Sequence, residues 1–165
     1  MTASATNDRR QWLSRTAGWM AGGALGATAT VAHAAPAAGA QGGEGSANKI
    51  VYQLNRADPE YQEDIFNSIS AMLGKYVDDI QIAVAVWGPG IHILAKSPRR
   101  PVSQHTQQRV RSLAEAYGVT FIACNNTMRT VGWGKDDMMD FAVVEDFGAS
   151  TIMRLQQQGF AYLAW

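Results

Sequence analysis

From Lys49 onward the apolar positions follow two alternating rhythms: short, dense, β-branched runs, and longer stretches where apolar residues recur every three or four positions. The runs Lys49–Leu54, Asp79–Trp87, Val119–Cys124, Phe141–Val144 and Phe160–Trp165 each predict a strand. Between the first two, Ile65, Ile69, Met72, Leu73 and Tyr76 mark the buried stripe of a helix. Asp58 is placed to cap it, Pro59 to sit in its first turn, and Glu60 to meet its positive end. Ser103 opens a second helix with Val110, Leu113, Ala114 and Tyr117 as its stripe, and Gly118 stops it. After the third strand, Asn126 to Met139 reads as irregular helix broken at Gly132-Trp133-Gly134. The last helix runs from Ala149 to Gln158 and ends at Gly159. Gly88-Pro89-Gly90 is a turn, Ile91-His92-Ile93-Leu94 one helical turn, and Lys96–Pro101 a solvated basic loop.

Five strands joined by connections of helical length favour parallel pairing, because parallel neighbours need a crossover. The expected fold is α/β: three α/β/α layers around a central, mostly parallel five-stranded sheet. The chain closes on the aromatic Trp165, which points to a sheet edge covered by another subunit.

The first residues follow neither rhythm. Asp8-Arg9-Arg10-Gln11-Trp12-Leu13 precedes a weakly apolar stretch from Ala17 to Val31, and Ala32-His33-Ala34 closes it with small residues. That order is an export signal of twin-arginine type, cleaved near Ala34, although Asp8 and Trp12 depart from the usual motif. Gly18, Gly22, Gly23 and Gly26 leave the middle too polar for a stable membrane span. Residues 1–34 are thus expected to be a signal peptide, 35–47 a disordered linker and 48–165 the folded domain of a periplasmic protein with no membrane contact in its mature form. Cleavage would lower basic residues from 14 to 11 and acidic ones from 14 to 13. A charge that near zero argues against nucleic acid as a partner.

Chemistry converges on Cys124, the only cysteine. It ends a buried strand and stands just before a helix start, where ligands gather in open α/β sheets and where a thiolate is stabilised. The other reading is a small buried hydrophobe. An unpaired cysteine in an oxidising compartment is buried, reactive or bonded to another molecule. Backbone N–H groups of Asn125, Asn126 and Thr127 are candidate anion donors. Gly88 and Gly90 would let a neighbouring loop approach closely. If the second and third strands are neighbours, His92 is the nearest candidate base, and a half-buried structural histidine is its alternative. Trp87 lines either a ligand pocket or the packing, as does Trp133. The two histidines left after cleavage, His92 and His105, lack zinc-site spacing, and no C-x-x-C-H occurs, so neither metal nor cofactor is expected.

The segments Lys49–Leu54, Trp87-Gly88-Pro89-Gly90-Ile91, Gly118–Met128 and Gln156-Gln157-Gln158-Gly159-Phe160-Ala161-Tyr162 together resemble the DsrE/DsrF-like family of small sulfur-relay proteins. The resemblance implies the three-layer fold, homo-oligomers (commonly trimers or hexamers), and a cysteine carrying persulfide sulfur at the position of Cys124. It further implies a sulfurtransferase or sulfur carrier that meets a thiol or persulfide partner protein. Two other readings stand beside it: a non-catalytic small-ligand or oligomeric module with an inert thiol, and a redox sensor, which would need a resolving cysteine from elsewhere.

Overall fold

The computed structural model describes residues 45–77 and 79–165. The expected export segment and most of the linker lie outside them. The linker's last residues are fastened down: the Ser46 hydroxyl and the Ala47 N–H both donate to Asp79 Oδ1, at 3.3 and 3.2 Å.

Five strands form one sheet, β1 (Asn48–Leu54), β2 (Ile80–Val86), β3 (Thr120–Cys124), β4 (Val143–Glu145) and β5 (Ala161–Leu163), in the order β4-β3-β2-β1-β5. Every pairing is parallel. β1 and β2 pair along their whole length, Asn48 with Ile80 through Leu54 with Val86. Being covered on both faces, β2 is apolar at almost every position rather than alternating.

The helices are α1 (Pro59–Tyr76), α2 (Gln104–Glu115), α3 (Asn125–Thr130) and α4 (Gly148–Gln157). Asp58 caps α1 by accepting the Tyr61 N–H at 2.8 Å, and Ser103 caps α2 by accepting that of Thr106 at 3.0 Å. Strands β1 to β4 are laid down in one direction with α1 and α2 on one face. The return from β4 to β5 reverses that direction, so a right-handed crossover carries α4 to the other face. Tyr52, Leu54, Val84, Val86 and Phe121 pack under α1 and α2, whereas Val51, Ala83, Ala85 and Ile122 pack against Ile152 and Leu155 of α4. The three-layer architecture is as expected, and the sheet is wholly parallel.

Local departures have local causes. Tyr117, assigned to the α2 stripe, is exposed because the helix ends at Glu115 and helical spacing no longer applies. β4 starts at Val143 instead of Phe141, since Ala142 N–H closes a turn onto Met139. Phe141 packs edge-on against Phe121. β5 keeps only three residues of the six expected, with Phe160 buried before it and Trp165 half exposed after it. Residues 88–94 form one 3₁₀ helix, buried from Gly90 to Leu94, in place of a turn followed by a helical turn. Asn126–Met139 is broken as expected, into α3 and a short 3₁₀ turn at Lys135–Asp137, with Trp133 turned inward to the core. Among the described residues no helix is long and apolar enough to cross a membrane.

Candidate functional site

Cys124 is the last residue of β3, and its Cα partner on β4 is Glu145. The chain therefore leaves the two strands side by side, into α3 from one and into the loop before α4 from the other. That loop brings two backbone groups to the sulfur. Gly148 N–H donates to Sγ at 3.4 Å, and Sγ–H donates to the Asp146 carbonyl at 3.7 Å. Gly148 is the first residue of α4, so its N–H is one of the donors left unpaired at a helix start. The thiol is 6 % exposed.

Only glycine fits at position 148. A Cβ there would lie 2.8 Å from Trp87 Cδ2 and nearer still to Cε3, so α4 begins flat against the indole. Trp87 belongs to the packing under α4 and also backs the donor that holds the sulfur. Gly88 N–H donates to Thr127 Oγ1 at 3.2 Å, which ties the end of β2 to α3. Asn126 N–H is already committed, donating to the Asp146 carbonyl at 3.0 Å. Trp87, Gly88, Asn126 and Thr127 are thus gathered around Cys124 at the carboxyl end of the sheet. Gly90 faces β1: a Cβ would lie 2.7 Å from the Leu54 carbonyl oxygen, so glycine permits that approach. A groove of about 1610 Å³ along the β4 edge reaches Asn125 and Asp146, and Cys124 is not among its walls.

His92 is held elsewhere. Its Nδ1 accepts the N–H groups of Arg99 and Arg100 at 3.2 and 3.3 Å, and its ring lies edge-on to Trp133 with centroids 4.9 Å apart. An Nδ1 that accepts carries no proton, which places the ring proton on Nε2. Burial, with the charges of Arg100 and Arg99, holds His92 below the usual imidazole range. No hydrogen bond joins it to Cys124 among the described residues. Its visible work is to shape the proline-bounded loop.

The N–H donor to the sulfur itself comes from α4, and Gly148, Asp146 and Glu145 were not among the candidates. The clue was the loop Asp146-Phe147-Gly148, which follows the strand that must neighbour β3. Glu145 is tied to α4, accepting the Thr151 hydroxyl at 2.7 Å and pairing with Arg154. Among the described residues no group of three His, Cys, Asp or Glu side chains is placed to hold a metal.

Residues 37–165 match the pattern of the DsrE/DsrF-like family. The chain belongs to this family. Solved structures agree on the fold. A protein of unknown function from Methanobacterium thermoautotrophicum, MTH1491, is 23 % identical with a TM-score of 0.63, covering 72 % of this chain and 99 % of its own. The ychN protein from E. coli is 13 % identical with a TM-score of 0.58, with the same coverage. At these identities the two share the fold of this DsrE/DsrF-like chain. No curated protein matches the sequence.

Proposed function

We propose that this DsrE/DsrF-like protein handles sulfur, with Cys124 as the thiol that carries it as a persulfide. Family membership supports a sulfur-relay role. The observation that carries the assignment to Cys124 is the Gly148 N–H on its sulfur, a donor that a thiolate or persulfide anion would retain. In the loading step the Cys124 thiolate attacks the outer sulfur of thiosulfate. The S–S bond breaks, sulfite leaves with the bonding pair, and Cys124 keeps the transferred sulfur as a persulfide anion. Returning it is a second displacement: a partner thiolate attacks the outer sulfur, the S–S bond breaks, and Cys124 leaves as the thiolate with the bonding pair. Asn125, Asn126 and Thr127 would border the entrance, and Trp87 would fix its wall. We further propose an exported, periplasmic protein that works as a homo-oligomer, a trimer or hexamer, with a thiol or persulfide partner protein.

One observation favours the other reading, a small-ligand or oligomeric module with an inert cysteine. The protonated thiol has both a donor and an acceptor and is nearly buried. Cyanide separates the two, because it strips sulfane sulfur as thiocyanate. After loading with polysulfide and desalting, a carrier releases about one thiocyanate per chain, and Cys124→Ala releases none. Equal release from both sinks the carrier.

A further inference from the structure

The thiol has a charged neighbour that the relay chemistry leaves unused. Cys124 and Glu145 are register partners on adjacent parallel strands, which lie about 4.8 Å apart. Ile122, two residues before Cys124, packs under α4, and side chains alternate between faces along a strand. Cys124 and its partner Glu145 therefore project on the α4 side together. Glu145 does not stand there as a bare charge. Oε2 accepts the hydroxyl of Thr151, a residue only 1 % exposed, and Oε1 pairs with the Arg154 guanidinium one helical turn further along α4. Among the described residues the other charged groups on surrounding elements are Asp146, exposed on the same loop, and Arg129 in the last turn of α3; the end of β2, Trp87-Gly88, brings none.

A carboxylate beside a thiol opposes the negative charge that the thiol must acquire to react. We infer that Arg154 is a positioning residue for Cys124 that acts through Glu145: by pairing with the carboxylate, it lets the thiolate form beside a neutralised neighbour. The inference rests on the reading of Cys124 as a reactive thiol. It gives α4 two roles in the site, the Gly148 N–H at its first residue and the charge balance at its second turn.

The test is the rate at which iodoacetamide alkylates Cys124 in the folded full chain, followed by mass across a pH series. In that reaction the thiol proton passes to solvent, the sulfur displaces iodide and a thioether forms. Removing the cation with Arg154→Ala should move the profile to higher pH, and removing the carboxylate with Glu145→Gln should move it to lower pH. Arg154→Lys should lie close to the parent chain. Loss of a merely structural contact would displace Arg154→Ala and Glu145→Gln in the same sense, or neither, and would overturn the inference. Should Arg154→Ala fail to fold, Glu145→Gln decides alone: a downward move supports it, and no move or an upward one overturns it. A parent chain that resists alkylation while folded overturns both this inference and the reading beneath it. A reactive parent with unmoved variants overturns this inference alone.

Discussion

Two hydrogen bonds meet at the Cys124 sulfur, and losing the thiol proton affects them oppositely. The Gly148 N–H serves a thiol and a thiolate alike, whereas the Asp146 carbonyl is a partner only for S–H. Ionisation therefore frees that carbonyl to lean on Asn126 N–H alone. His92 is governed by a different balance. With its folded pKa depressed by burial and by Arg100 and Arg99, it resists a proton that the unfolded chain accepts near pH 6.5. Its contribution to stability is full above about pH 6.5 and is lost as pH falls from there towards the lower folded value. Thermal unfolding followed from pH 7.5 to 5.5 should show that decline. His92→Asn, whose Oδ1 can still accept the Arg99 and Arg100 N–H groups, should flatten it; an equal decline in both chains would contradict the assignment. Cys124 was legible in the sequence because it ends an apolar run. The residues that hold its sulfur were not, because they lie some twenty positions away and meet it only through the pairing of β3 with β4.

α4 is the element on which the site depends most. Among the described residues it is the one helix on its face, and its first residue serves as packing surface and hydrogen-bond donor together. Gly148→Ala would drive a methyl into Trp87, lifting the start of α4 and weakening the contact with Cys124. The expected cost is about 1–3 kcal/mol, read from urea unfolding. Trimming the indole in Gly148→Ala/Trp87→Leu should lose less than the two single changes added together. Strict additivity would mean that the indole is not the obstacle. The helices themselves were readable from their caps and stripes: Asp58 and Ser103 act as read, and Ile65, Ile69, Val110 and Leu113 are buried. The errors fell where periodicity is shortest. Three-residue strands such as β4 and β5 are set by how far a neighbour extends, which no local pattern records.

Among the described residues the sheet is covered unequally. α1, α2 and the 3₁₀ helix at 88–94 fill one face, while α4 is the one described helix on the other. Five strands span about 19 Å and a helix is about 10 Å across, so one helix leaves apolar strips beside it. Val143 and Tyr162, on opposite edge strands, are 43 % and 40 % exposed on that face. Self-association would cover them. Sedimentation of the purified chain should give a mass of three or six copies, and Val143→Glu/Tyr162→Glu should lower it with the circular dichroism unchanged. A monomer in the parent chain at micromolar concentration would contradict this. The layer order was legible from the alternation of elements; the uneven coverage was not, because it follows from the direction in which strands are added. One experiment bears most directly on what the protein does. Intact mass spectrometry after incubation with polysulfide or thiosulfate should show the mass of one added sulfur, removed by reductant and absent from Cys124→Ala. An unchanged mass, together with a thiol that resists alkylation until the chain unfolds, would contradict sulfur carriage by Cys124.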